Sequence, residues 1–376
     1  MESRVPHTVV SHIGEHCNGC DICVRECSFL QEYGSPKELA LRWLAAKGGE
    51  KESSSFECSL CGLCAGVCPK GLNPSEMLLT MRRELVTLGQ GNFREHKAIR
   101  AYERRGSSAL FSYYSLPKNC TTILFPGCAL PGSRPETFRR LFQFLQQRIP
   151  ALGLVLDCCS KPSHDLGNSS YFQKMFSEIC DILSARSITK VLVACPNCHR
   201  IFKEYGRGLT VKTIYEELAE SGKFTANLAR TVTVHDPCGV RFVESVQHSV
   251  RTLLQQQGAQ LCEMKHNRKI SYCCGEGGSA GFLRPDFAAG WTGKRVAEAG
   301  DEVIISYCAG CTNFLGRSTE TWHLLDLLFA PQALLAGELK VSRSPVTYWN
   351  RYRLKQRLRK ESQAGICGTR VEMLSK

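Results

Sequence analysis

Short apolar and β-branched runs alternate with amphipathic stretches through the middle of the chain. Residues 121–125 (TTILF), 152–156 and 190–194 (KVLVA) read as strands, and 231–234 (TVTV) and 302–305 (EVII) repeat the theme further on. Between them, in 136–148, 171–185, 241–257 and 287–299, apolar residues recur at steps of three and four, the spacing of a helix with one buried face. Strands alternating with helices predict parallel α/β units. No apolar run reaches the length of a bilayer span; the longest candidate, 324–336, is interrupted by Asp326 and Pro331.

Composition sets bounds on this picture. The 376 residues are 43% hydrophobic and 22% charged, which excludes a disordered or fibrous chain and leaves room for two or three domains. The 22 cysteines are the anomaly, because a chain of this length does not need disulfides to make up for a small core. Residues 1–11 carry Glu2, Arg4, Pro6 and His7 and show no secretory leader pattern, so a reducing, cytoplasmic setting is expected and thiolate ligation of metal becomes the leading use.

The cysteines are grouped. Cys17, Cys20, Cys23 and Cys27 form Cys-x-x-Cys-x-x-Cys-x-x-x-Cys, and Cys58, Cys61, Cys64 and Cys68 repeat it, with Pro69 after the last. Zinc also takes paired Cys-x-x-Cys, yet a zinc site needs four thiolates and no triple spacing. A second pattern comprises Cys128, the pair Cys158 and Cys159, and Cys195 with Cys198, followed by Cys238, the pair Cys273 and Cys274, and Cys308 with Cys311. Equivalent positions lie 110, 115 and 113 residues apart, which indicates an internal duplication. A thioredoxin-type dithiol at Cys195-Pro196-Asn197-Cys198 and a dinucleotide-binding turn at GEGGSAG are competing readings that leave the duplicate unexplained. The glycines of 275–278 are expected to let backbone pass close to a bulky group. Cys120, Cys180, Cys262 and Cys367 are read as small core residues or bystanders.

The first pattern resembles the bacterial ferredoxin run, and that resemblance implies that each fourth cysteine serves the other cluster. Cys17, Cys20, Cys23 and Cys68 would then hold one cubane and Cys58, Cys61, Cys64 and Cys27 a second. The duplicated unit, with FPGC at 125–128, HDPC at 235–238 and CCGEGG at 273–278, resembles the cysteine-rich CCG domain of heterodisulfide reductase catalytic subunits, over roughly residues 10–330. The resemblance implies a helical dicluster ferredoxin-like domain (1–90), a basic linker (91–118), two Rossmann-like α/β CCG units (119–230 and 231–337) and a basic tail (338–376). It further implies two non-cubane [4Fe-4S] clusters, one on Cys128, Cys158, Cys159, Cys195 and Cys198, the other on Cys238, Cys273, Cys274, Cys308 and Cys311. The first pair departs from the motif, with Ser160 where the family has glycine.

The activity implied is reductive cleavage of a small disulfide by electrons that enter at the cubanes. The alternative is an electron-relay role of the kind that serves glycolate, lactate or glycerol-3-phosphate dehydrogenases and passes electrons to quinone. His235, Asp236 and His199 stand next to ligand cysteines and are candidate proton carriers, with helix-capping and supporting roles as the competing use. Lys161 and Arg241 are read as solvated surface cations before anion-binding ones. No flavin or nicotinamide site is recognised, so a protein partner is expected as electron donor or acceptor. The net charge is +13, and 340–376 holds much of the excess, with Tyr348, Trp349 and Tyr352 among its basic residues. Such a segment suits an anionic membrane surface at the inner face, an acidic partner, or a solvated tail. No nucleic-acid module accompanies it, and no nucleic-acid partner is expected.

Overall fold

The computed structural model describes residues 6–46, 53–221, 224, 228–361 and 365–375. The N-terminal part is helical. Ser35 and Glu38 cap the Pro36–Ala45 helix reciprocally, and Asn73 caps Pro74–Thr87. Phe29, Leu39, Trp43, Phe56, Met77 and Leu85 form its core.

Ten strands follow among the described residues: β1 (Tyr113–Pro117), β2 (Thr122–Phe125), β3 (Gly153–Leu156), β4 (Lys190–Val193), β5 (Thr210–Thr213), β6 (Thr231–His235), β7 (Gln260–Leu261), β8 (Val303–Ser306), β9 (Thr321–His323) and β10 (Gly365–Gly368). They build two sheets, in the orders β10-β1-β3-β2-β4-β5 and β7-β6-β8-β9. The stretch β3-β2-β4-β5 and the whole second sheet are parallel and share one connectivity, which is the duplication expressed as topology. Strands β3 and β8 are buried along their whole length, hence their near-continuous apolar sequences.

The two units share a core in which Leu124, Phe138, Leu141 and Leu192 of the first join Val234, Val246, Ile305 and Leu325 of the second. Across that seam Arg134 donates to Asp326 at 2.6 Å, and Thr137 donates to the same carboxylate at 2.7 Å.

Two segments differ from their reading as linker and tail. Residues Lys97–Ser107 form a helix, and β1 adds antiparallel to β3 in the first sheet. At the far end the Val346–Glu361 helix packs on Ala129–Ser133, and β10 pairs with β1. Arg370 then reaches inside to Asp157, at 2.8 and 3.0 Å, and to Glu178 at 3.1 Å. Several basic residues of the tail are thus consumed by buried carboxylates and carbonyls, which a count of charges along the chain does not reveal. No helix among the described residues is long and apolar enough to cross a membrane.

One side chain joins all three modules. Arg82, on the Pro74–Thr87 helix, is fully buried and donates to Ser55 O at 2.8 Å, Cys58 O at 2.5 Å, Asp165 O at 2.7 Å and Gly278 O at 2.8 Å. Burial pulls its pKa down to about 10, so it remains charged at neutral pH. Arg82→Leu is expected to strand these acceptors, each costing about 1–3 kcal/mol when left unsatisfied. The variant should lower the urea midpoint of the anaerobic protein by an amount equivalent to more than about 3 kcal/mol, with Arg82→Lys in between. An unchanged midpoint for the leucine variant would refute this role.

Candidate metal centre

In the helical domain, two loops each present three closely spaced thiols, and each receives a fourth from the other. Cys17, Cys20, Cys23 and Cys68 line one cavity. Cys27, Cys58, Cys61 and Cys64 line a second. The first opens outward, with Cys20 exposed, while Cys58 and Cys61 of the second are buried. Burial and crowding among thiols push Cys27 and Cys64 up as free thiols, an arrangement that favours a bound cation over four ionised sulfurs alone.

The ten remaining cysteines of the pattern stand at the carboxyl ends of strands or just beyond, where parallel sheets form crevices. Cys195 and Cys308 directly precede the helices that follow β4 and β8, and Cys158 comes two residues after β3. In the first unit Cys198 Sγ lies 3.4 Å from Cys159 Sγ, Cys195 pairs with Cys198, and Cys128 with Cys158. In the second, Cys273 pairs with Cys238 and Cys274, and Cys311 with Cys274 and Cys308. Two contacts link the sets: Cys195 of the first unit with Cys308 of the second, and Cys61 of the helical domain with Cys273. Within the helical domain Cys23 of the outer set neighbours Cys64 of the inner one, so the four sets follow one another as a chain, the first around Cys20 and the last around Cys128, and the second unit precedes the first.

Backbone geometry leaves room for a bulky group at the first set. Gly127 has φ +78°, and a Cβ there would sit 2.9 Å from Cys195 Cβ and 3.3 Å from Cys198 Sγ. Ser160, where the family motif has glycine, also takes the left-handed conformation at φ 58°, so the turn survives the substitution at a local cost. In the glycine run, a Cβ on Gly277 would sit 3.4 Å from Cys273 Sγ and 2.6 Å from Ser59 O. A Cβ on Gly278 would fall 2.6 Å from Cys58 O, so that glycine admits backbone of the helical domain.

The candidate proton carriers separate in space. His235 is fully buried, and a ring nitrogen lies within 4.8 Å of the sulfurs of Cys274 and Cys311. Neither of its ring nitrogens has another hydrogen-bond partner, and burial holds the ring neutral by lowering its pKa. Asp236 points elsewhere. It accepts from Arg251 at 2.9 and 3.0 Å, from Tyr307 at 2.9 Å and from Arg268 N at 2.7 Å. Burial opposes its charge, but these donors outweigh burial and hold its pKa below the usual range, which makes it a structural carboxylate. His199 is buried beside Cys198, its pKa lowered by burial, and its Nδ1 has no hydrogen-bond partner.

Lys161 and Arg241 are not surface cations. Lys161 is paired with Asp165, and buried Arg241 donates to Cys61 O and Lys269 O, each at 2.8 Å. Cys120 and Cys180 are core residues, Cys262 is exposed, and Cys367 sits in β10. Sequence reading passed over Glu276, an exposed residue whose carboxyl lies over Gly310 and feels the sulfurs of Cys274, Cys195 and Cys238. Desolvation and the neighbouring sulfurs push it up to about 8. Its place inside CCGEGG was the available signal.

Comparison with known proteins covers parts of this inventory. Residues 16–73 match the 4Fe-4S dicluster domain and residues 232–316 the cysteine-rich domain. The chain is 25% identical over 355 residues to one subunit of the dihydromethanophenazine:CoB–CoM heterodisulfide reductase of Methanosarcina acetivorans, covering 79% of this chain and 87% of that protein. It is also 25% identical to one subunit of the fumarate reductase (CoM/CoB) of Methanothermobacter marburgensis, covering 83% of this chain and 69% of that protein. With the EtfAB:quinone oxidoreductase of Syntrophomonas wolfei the identity is 24%, covering 73% of this chain and 46% of the relative. The chain thus carries a 4Fe-4S dicluster domain followed by a cysteine-rich domain, and over most of its length it is similar to a subunit of the methanogen heterodisulfide reductase.

Proposed function

We propose that the protein reduces a small disulfide with electrons delivered by a partner subunit, using two cubane and two non-cubane [4Fe-4S] clusters. The observation that carries this reading is the line of thiols from the Cys20 set through Cys23 and Cys64, then the Cys61–Cys273 contact, to the facing pair Cys308 and Cys195. Cys17, Cys20, Cys23 and Cys68 would hold the outer cubane, and Cys27, Cys58, Cys61 and Cys64 the inner one. The two five-cysteine sets would hold the non-cubane clusters. When bound, such clusters take up electrons singly and offer iron to sulfur.

The chain's own residues do the rest. Exposed Cys20 marks where a partner subunit meets the outer site. Most thiols of the three inner sets are buried and the rest half-buried, which limits the access of water to them. His235 stands at the sulfurs of the second set, and Asp236, through Arg251 and Tyr307, fixes the strand end that carries it.

The Val346–Glu361 helix suggests where the assembly sits. Its inner side buries Arg351, Leu354 and Lys355. Its outer side exposes Val346, Trp349, Arg353, Arg357 and Lys360, with Trp349 58% exposed and stacked on Tyr352. Exposed tryptophan flanked by arginines suits the headgroup layer of an anionic membrane.

Two measurements test these readings. Anaerobic protein is expected to contain about sixteen irons, four per cluster, and to show an electron paramagnetic resonance signal that changes on adding thiol or disulfide. About eight irons would refute the reading, while a full complement that ignores thiols and disulfides would favour the relay role. In sedimentation, the protein is expected to bind vesicles of phosphatidylcholine with phosphatidylglycerol and not phosphatidylcholine alone. The double variant Trp349→Ser, Arg353→Glu should weaken that binding at least about tenfold. Equal binding to both vesicles, or to neither, would rule the membrane surface out.

A further inference from the structure

The two five-cysteine sets carry the same ligands, yet different neighbours cover them. The second set is covered by the helical domain, through Cys61 and the backbone of Ser59. The first is covered by two segments outside the duplication, the Lys97–Ser107 and Val346–Glu361 helices. The point a Cβ on Gly106 would occupy lies 3.2 Å from Cys158 Cβ, 3.8 Å from Cys128 Sγ and 3.6 Å from Arg351 Nη2. A guanidinium from the last long helix and the first set therefore adjoin the same glycine, and Arg351 acts on Cys128 through charge.

Arg351 is 5% exposed. Its one hydrogen bond is long, from Nη2 to Gly106 O at 3.5 Å, while Nη1 has no partner, and its guanidinium carbon lies 5.3 Å from the centre of the Phe111 ring. No carboxylate pairs with it among the described residues. A buried cation without a counterion is costly, and a nearby negative charge must offset it. Of the acidic groups near this set, Asp157 is paired with Arg370 and Glu103 accepts from Ser163, which leaves the thiolates of Cys128 and Cys158, with whatever anionic group they hold, to offset Arg351. A fixed cation favours the more reduced, more negative state of such a group, and low local dielectric strengthens the effect.

We infer that Arg351 raises the reduction potential of the first five-cysteine site and so makes it inequivalent to the second, the electron-accepting end of the line. Arg351 is a positioning residue in this account, acting on the site through charge. The inference rests on the reading that both sets hold clusters.

The test is a potentiometric titration of the full-length anaerobic protein followed by electron paramagnetic resonance, with iron counted in every sample. The signal of the first site is identified by its loss in Cys158→Ser. Arg351→Gln is expected to lower that midpoint by the equivalent of at least a tenfold change in the oxidised-to-reduced ratio, about 59 mV for one electron, with iron content and the other midpoints unchanged. Arg351→Lys, which keeps the charge, should recover most of the shift. A wild-type midpoint in Arg351→Gln at full iron overturns the inference. Loss of iron from the first site in Arg351→Gln and Arg351→Lys alike also overturns it, because Arg351 would then be only a wall. If the wild-type protein itself holds about eight irons, the cluster reading falls first and this inference falls with it.

Discussion

The guanidinium of Arg82 is the point on which the assembly hangs. It sits where the helical domain, the first α/β unit and the second meet, and it satisfies carbonyls from all three. One of these, Cys58 O, belongs to a thiol loop, and another, Gly278 O, to the loop that follows Cys273 and Cys274. Position of the thiol sets is therefore tied to a buried charge that cannot relax toward water without abandoning its acceptors. Electron transfer between centres is steep in distance, so a rigid junction is what the proposed line of redox sites would require.

Around that junction polar groups serve structure more than chemistry. Arg134 with Asp326 locks the units across their shared core, Arg251 with Asp236 fixes the end of β6, and Arg370 with Asp157 fixes the approach to Cys158. Each pairs a buried arginine with a buried carboxylate, which reduces the penalty of taking either out of water. The net positive charge is thus partly internal. Arg241, Arg295 and Arg351 are also buried, and each donates to backbone carbonyls.

Much of the architecture was legible because it depends on local rules. Strands β2, β3, β4, β6 and β8 fall where β-branched and apolar runs stand, since strands buried on both faces need apolar side chains throughout. The repeat of cysteine spacing anticipated two sheets of like connectivity. Other elements were not legible. The pairing of β1 with β10 joins residues some 250 positions apart, and β10, half exposed at the sheet edge, lacks the apolar signature. The second unit also has a longer path between β7 and Cys273. Its residues, Tyr272 and His266 among them, contact Glu26 of the helical domain, a use that spacing within one unit does not predict.

The sequence by itself determined the inventory: which cysteines act together, how many sets there are, and that one unit occurs twice. Ligand spacing is a local property, set by how far a tight turn can aim neighbouring thiols. Tertiary structure alone decided the order of the sets, with the second unit between the helical domain and the first, and which charged residues face them. It assigned Gly278 to a domain contact, Asp236 to a structural carboxylate network, and Arg351, from a segment that reads as a solvated tail, to the wall of the first set. Those outcomes depend on packing between distant segments, where burial cost decides which charges must find a partner, and no local pattern encodes that.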